Sequence, residues 1–215
     1  LVVIKKYFGS ETPVLYFTGA EGNQSPRHVT KSNTFEEAKR IGGIIADSVG
    51  TILNQGIVFS AAIPLSSLQK FIELPKRRFP DPESARKHRD KSLEKFNYLK
   101  KNSPDRKAIR TAEVDWFGAE ELLFLSKLAQ SGELDNIYKT CLPAEIQIFK
   151  IGKWNFVAWP GEIYIEYEIE LKKKLQNTFL IGLSNGELQG YIATKEADDK
   201  GYYEAANSVF HYSAG

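Results

Sequence analysis

Apolar residues recur along the chain in two rhythms, one near 3.6 and one near 2, and the switches between them mark out helices and strands. Leu1 to Phe8 reads as the tail of an amphipathic helix, and Gly9-Ser10-Glu11-Thr12 as a polar turn. Val14-Leu15-Tyr16-Phe17 is a short continuous apolar run suited to a buried strand, and it leads into Gly19-Ala20-Glu21-Gly22. Thr34-Phe35-Glu36-Glu37 is a capping box, in which the threonine oxygen accepts from the Glu37 amide and the glutamate reaches back. It predicts a helix to about Gln55, with Ile41, Ile44, Ile45, Val49 and Ile52 on one face and Gly56 as its stop. Ile57 to Ile63 reads as another strand, and Phe71 to Phe79 as extended and basic. Pro80-Asp81-Pro82 then pairs an aspartate N-cap with a proline in the first turn. From Glu83 to Lys101 the thin apolar stripe of Leu93, Phe96 and Leu99 predicts a solvated helix packed along one edge.

Beyond this point the period changes twice. Trp116-Phe117-Gly118 leads into a shorter helix, Leu122 to Ala129, that stops near Gly132. Glu145 to Ile151 alternates, Gly152-Lys153 can turn, and Trp154 to Trp159 continues apolar, which predicts a hairpin. A helix from about Tyr164 to Leu175 and a strand from Thr178 to Leu183 complete the regular elements. A hairpin combined with strands separated by helices predicts the α/β class, a mixed β-sheet covered by α-helices. Without an internal repeat or a low-complexity linker, residues 1–215 read as a single domain.

Composition narrows the function classes. A 42% hydrophobic and 12% aromatic content is enough for a real core, which excludes disordered and fibrous chains. The net charge of +2 gives no long-range field for nucleic acid, so a dedicated DNA or RNA binder is not expected. The single cysteine, Cys141, cannot form an intrachain disulfide, and no apolar run reaches the length of a membrane span. The chain holds no methionine, not even an initiator, so it reads as an interior piece of a longer protein.

Three loops that follow expected strands are richer in glycine, proline and polar groups than a connector needs. In Gly22-Asn23-Gln24-Ser25-Pro26-Arg27-His28, Ser25 reads either as a polar turn residue held extended before proline or as a nucleophile with Asn23 nearby. It is not the Gly-x-Ser-x-Gly elbow of serine hydrolases. In Trp159-Pro160-Gly161-Glu162, the carboxylate of Glu162 sits at the sheet rim, either as an acid beside a helix N-terminus or as a metal ligand or general base. In the third, Gly182, Gly186 and Gly190 surround Ser184-Asn185 and precede Tyr191, and Tyr202-Tyr203 follow after Gly201. Tyrosines there either pack, donate hydrogen bonds or bind a cation as phenolates. His28, His88 and His211 form no paired zinc motif.

In this order the segments resemble the catalytic domain of the neutral/alkaline non-lysosomal ceramidases and their short bacterial relatives. Gly22 to Arg27 is similar to the family's Gly-Asp-x-Ser-Pro-Asn, and Trp159-Pro160-Gly161-Glu162 to its Leu-Pro-Gly-Glu. Gly182-Leu183-Ser184-Asn185, Gly190 to Glu196 and Tyr203-Glu204-Ala205 continue the pattern, so that it covers nearly the whole chain. The middle third, Phe71 to Lys139, matches mainly in length.

The resemblance implies the C-terminal half of a zinc-dependent amidohydrolase that cleaves N-acyl lipid amides into a fatty acid and a sphingoid amine. It implies zinc ligation by Glu162 and Tyr191, which lie 29 positions apart, a short spacing for the family. It gives Tyr203 a hydrogen bond to the reacting carbonyl oxygen and makes Ser25 a nucleophile or substrate contact. Asn23 and Arg27 stand where the family has an acidic residue and an asparagine, and both are read as substrate-binding. Two further histidine ligands are expected from an upstream segment, so residues 1–215 alone are expected to be metal-poor and inactive. An exported or membrane-associated protein with peripheral membrane contact is also implied. Two rival readings are a hydrolase of an anionic amide or ester selected by Arg27, and a ceramidase-like module without catalysis.

Overall fold

A computed structural model describes residues 5, 9–26, 29–56, 58, 60, 62–188 and 190–215. The chain forms two compact units, one of residues 1–17 and 25–64, the other of residues 18–24 and 65–215. The helix expected over Leu1 to Phe8 lies outside the described residues except for Lys5, as do Arg27 and His28. Among the described residues no helix is long and apolar enough to cross a membrane.

The first unit is organised by helix α1, Phe35–Asn54, which ends at Gln55 before Gly56. Thr34 caps it as expected, its side-chain oxygen accepting from the Glu37 amide at 3.3 Å. The return contact differs: the Glu37 carboxylate accepts from the Lys31 amide at 2.8 Å and from Arg40 Nε at 2.8 Å. The Arg40 guanidinium, then the Lys31 amide, hold this carboxyl down at about 2 against an ordinary 4.5. A carboxyl whose folded value is depressed stabilises the fold above its unfolded value and loses that contribution as pH falls. The helical circular dichroism of the wild-type protein should therefore weaken between about pH 4.5 and 2, and Glu37→Gln should weaken that acid dependence.

Neither strand expected in this unit is found among its described residues. Val14 to Phe17 form no strand, and Leu15 and Tyr16 are 79% and 73% exposed. An apolar run becomes a buried strand only beside a hydrogen-bonding partner, and the described residues of the first unit contain none. Over Ile57 to Ile63, the residues Ile57, Phe59 and Ala61 lie outside the description, while Val58, Ser60, Ala62 and Ile63 belong to no strand.

The second unit is built on a four-stranded mixed sheet. Strands β1 (Leu65–Ile72), β2 (Ala144–Ile151), β3 (Trp154–Ala158) and β5 (Thr178–Ile181) lie side by side in that order. β1 and β2 pair antiparallel, as do β2 and β3, whereas β3 and β5 run parallel. The β2–β3 hairpin closes with Ile151 opposite Trp154, and Gly152 takes the positive φ of 61° that its tight turn requires. One face of the sheet carries Val157 and Leu180 into the core, and Ala144, Leu125, Leu134, Tyr138, Ile192, Val209 and Phe210 extend that core. The opposite face is aromatic: Phe179 lies 5.6 Å from both Trp154 and Phe156, centroid to centroid.

Helices flank this sheet, which is the α/β arrangement. α2, Pro82–Asn102, begins at Asp81, whose carboxylate accepts from the amides of Glu83 and Ser84. Its stripe residue Phe96 stacks on Trp116 at 5.6 Å. Trp116 belongs to α3, Arg106–Ser131, a helix far longer than the expected Leu122 to Ala129. Asp105 caps its start and Gly132 closes it. α3 packs against α2 on one side and against the short helix α7 (Tyr203–Ala206) on another, so its buried residues do not form one stripe. α4, Leu134–Cys141, was not expected; its Tyr138 hydroxyl donates to the Val209 carbonyl at 2.6 Å. α5 (Ile165–Lys174) and α6 (Lys195–Asp199) flank a two-stranded parallel ladder, β4 (Glu162–Ile163) with β6 (Tyr191–Ile192).

Candidate functional site

The small ladder is the element that gathers the chemistry. β3 ends at Ala158, the chain turns through Trp159-Pro160-Gly161, and β4 begins directly on Glu162. β5 ends at Ile181, a glycine-containing loop follows, and β6 begins directly on Tyr191. In the ladder Glu162 stands opposite Tyr191, and Ile163 opposite Ile192. Because side chains alternate, Ile163 and Ile192 point into the core while Glu162 and Tyr191 face the other way. They line a cleft of ≈ 460 Å³ together with Glu121 of α3, Glu187, Tyr203 and Asn207.

Backbone close to backbone holds this arrangement. The Gly22 amide donates to the Ile163 carbonyl at 2.9 Å, and a Cβ at Gly22 would come 2.6 Å from the Glu162 carbonyl oxygen. Gly190 has φ +78°, and a Cβ there would lie 2.2 Å from the Asn207 carbonyl oxygen. Ser208 completes the junction by donating from its hydroxyl to the Tyr191 carbonyl at 2.5 Å. Tyr203, the first residue of α7, presents its ring edge to Tyr191 with centroids 6.2 Å apart and planes at 65°.

Desolvation shapes the electrostatics. Burial pushes the Glu162 carboxyl up, the Tyr191 hydroxyl opposes that by hydrogen bonding, and Glu204 adds repulsion. Tyr191 is pushed up by burial, then by Glu162, Tyr203 and Glu204. Tyr164 is raised by burial and by Glu204. A phenol and a carboxyl that both resist ionising lie on paired positions of the ladder, and a cation beside them would reverse both shifts.

Asn23 is engaged at the start of α5. Its side-chain oxygen accepts from the Ile165 amide at 3.0 Å, and its amide donates to Glu166 at 2.9 Å, so it fastens the start of α5 immediately behind β4. Ser25 is exposed and belongs to the first unit, and Arg27 lies outside the described residues. Of the six expected site residues, the ladder and α7 bring Glu162, Tyr191 and Tyr203 together.

Glu21, Glu121 and Asn207 were not anticipated. Glu121 enters the cleft from the surface of α3 and Asn207 from the turn that ends α7, positions where a polar residue looks like any solvated one in sequence. Glu21 carried a faint signal, an acid flanked by Gly19, Ala20 and Gly22. Both its carboxylate oxygens are buried; burial pushes its carboxyl up, its own backbone amide opposes that, and Glu162 and Glu168 add repulsion.

Among the described residues no group of three or more His, Cys, Asp and Glu side chains is placed to hold a metal ion. For zinc, Glu162 and Tyr191 would offer two oxygen donors from paired positions of the β4–β6 ladder. A catalytic zinc takes three protein ligands, so this pair is part of a donor set and not a whole one. The chain matches no protein-family model, and no curated protein or solved structure matches it.

Proposed function

We propose that this chain is the C-terminal half of a ceramidase-like zinc amidohydrolase domain, acting on the amide bond of N-acyl sphingoid lipids. The observation that carries the proposal is the β4–β6 register, which sets Glu162 against Tyr191 although 29 positions separate them. The edge contact of Tyr203 on Tyr191 supports it, because the resemblance gives these same three residues to one site.

In this reading Glu162 and Tyr191 would hold the metal as two of its ligands, with the others supplied from elsewhere. When bound, zinc supplies a Lewis acid and makes hydroxide available near neutral pH. Tyr203 holds its hydroxyl proton toward the amide oxygen, where negative charge develops as the carbonyl carbon becomes tetrahedral. The desolvated surroundings of Tyr191 and Glu162 strengthen every such interaction. Asn23 acts from behind the site by fixing the α5 start that follows Glu162. The roles of nucleophile or substrate contact for Ser25 and of substrate binding for Arg27 rest on the resemblance alone.

The test is hydrolysis by the full-length polypeptide of an N-acyl sphingosine beside acidic amides. Ceramide cleavage that stops on chelation and in Glu162→Ala is the expected result. A folded, zinc-loaded protein that cleaves only the acidic amides would replace the substrate class. One that cleaves none of them would make the chain a non-catalytic module.

A further inference from the structure

The aromatic face of the four-stranded sheet keeps more apolar surface in water than a folded unit ordinarily leaves. Register sets Phe149, Phe156 and Phe179 side by side on β2, β3 and β5, and Leu65, Ile151 and Trp154 side by side on β1, β2 and β3. Exposure on this face runs from 39% at Trp154 to 73% at Leu65, with Phe71, Phe149, Ile151 and Phe179 between. With the areas that aromatic and large aliphatic side chains carry, these six expose on the order of 600 Å² together, the upper end of what a monomer leaves in one patch.

The patch is also nearly free of charge. Of the strand side chains that share this face, Glu145 alone ionises, and it accepts from Gln69 Nε2 at 2.7 Å. Lys153 and Lys172 stand at its margin, over the rings of Trp154 and Phe179 at 5.2 and 5.7 Å, and Lys172 is paired with Glu168. A nucleic acid or an anionic membrane needs cations across the contact, and the middle of this patch has none. Aromatic enrichment with charge depleted at the centre is instead the composition of a protein–protein contact. An uncharged centre meets its own copy without like-charge repulsion. With Ser67, Gln69 and Gln147 beside the apolar residues, the face approaches the about 800 Å² that each partner buries in a stable pair.

We propose that this face is the contact between two copies of the chain, packed sheet against sheet at the roughly 10 Å spacing of a β-sandwich. The contact is isologous, so each copy presents the same aromatic rows to the other. The proposal goes beyond the zinc reading and does not depend on it, since Glu162 and Tyr191 belong to the β4–β6 ladder and not to this sheet.

Sedimentation velocity of the full-length protein over a wide range of concentration tests it. Wild type should pass from monomer to dimer as concentration rises. Phe149→Glu should raise the concentration of half-dissociation about tenfold or more, because it places a carboxylate in the dry centre of the contact. Leu65→Glu, at the most exposed of these positions, should act in the same direction and serves if circular dichroism shows that Phe149→Glu fails to fold. Phe124→Glu, at an exposed phenylalanine of α3, should leave the dimer unchanged. Mixing Phe149→Glu with Phe149→Lys should restore association, because a face that meets itself brings the two charges together. A wild type that stays monomeric at every concentration would overturn the proposal, and shielding of the Trp154 indole from a soluble quencher in that monomer would give the face to another segment of the polypeptide. A dimer as tight in the folded Glu variants as in wild type would overturn it too, by placing the contact elsewhere.

Discussion

Tyr203→Phe is expected to lower the rate of amide hydrolysis by about 10²- to 10³-fold, the usual cost of removing one donor to a developing oxyanion, with zinc content unchanged. The reason is the division of labour within one small cluster. Tyr191 sits opposite Glu162 in the β4–β6 ladder, whereas Tyr203 reaches the cleft from α7 and meets Tyr191 edge to face at 6.2 Å. Phenylalanine keeps that ring contact and the fit of Tyr203 against Gly118, where a Cβ would come 2.9 Å from the Tyr203 ring. Only the hydroxyl is lost, so the drop should appear in kcat and in kcat/KM alike, the signature of an interaction made in the transition state. Steady-state kinetics with zinc analysis of the same sample checks it; unchanged kcat would remove Tyr203 from the chemistry.

Gly190→Ala is expected to be the most destabilising single change near the site. At φ +78° an alanine costs about 1–2 kcal/mol for the left-handed backbone alone. Its Cβ would also lie 2.2 Å from the Asn207 carbonyl oxygen and 3.2 Å from the carbonyl carbon, which forces backbone to move. Overpacking of this kind adds about 1–3 kcal/mol. For a chain of this size the combined loss corresponds to a melting temperature lower by about 4–20 °C. Gly132→Ala is the control, since Gly132 has φ +81° with nothing within 4 Å of its Cβ position and isolates the backbone contribution. Thermal melts of the two variants should differ by the overpacking part, and equal melts would contradict it.

The hairpin and several helix ends were legible because each is written locally. Alternation from Glu145 to Ile151, a glycine at the turn and an aspartate before Pro82 need no distant partner to act. α3 extends well beyond the Leu122 to Ala129 stripe because a helix packed on two sides blurs the stripe that identifies it. β1 escaped notice since nearly all of Leu65–Ile72 is exposed and its serines, glutamine and lysine interrupt the apolar signal. Val14 to Phe17 erred in the other direction: its apolar run looked like a strand but has no ladder among the described residues of its unit.

The site was legible as residue types and not as an arrangement. β4 and β6 are two residues each, too short for any period, and their pairing joins chain segments separated by α5 and β5. Glu162, Tyr191 and Tyr203 could be picked out by the glycine-rich loops around them, which structure explains as close backbone approach at Gly22 and Gly190. Asn23 adds a contact no local pattern shows, since its side chain bonds the Ile165 amide 142 positions away. Glu21 shows another, because sequence does not reveal that its carboxylate is buried beside Gly182.

The central claim is that Glu162 and Tyr191 are donors to one metal ion, and the direct measurement is zinc retained by the purified full-length protein after exhaustive dialysis. Stoichiometric zinc in wild type, and its loss in Glu162→Gln with Tyr191→Phe while the fold is kept, is the predicted result. Equal zinc in wild type and in that double variant would contradict it.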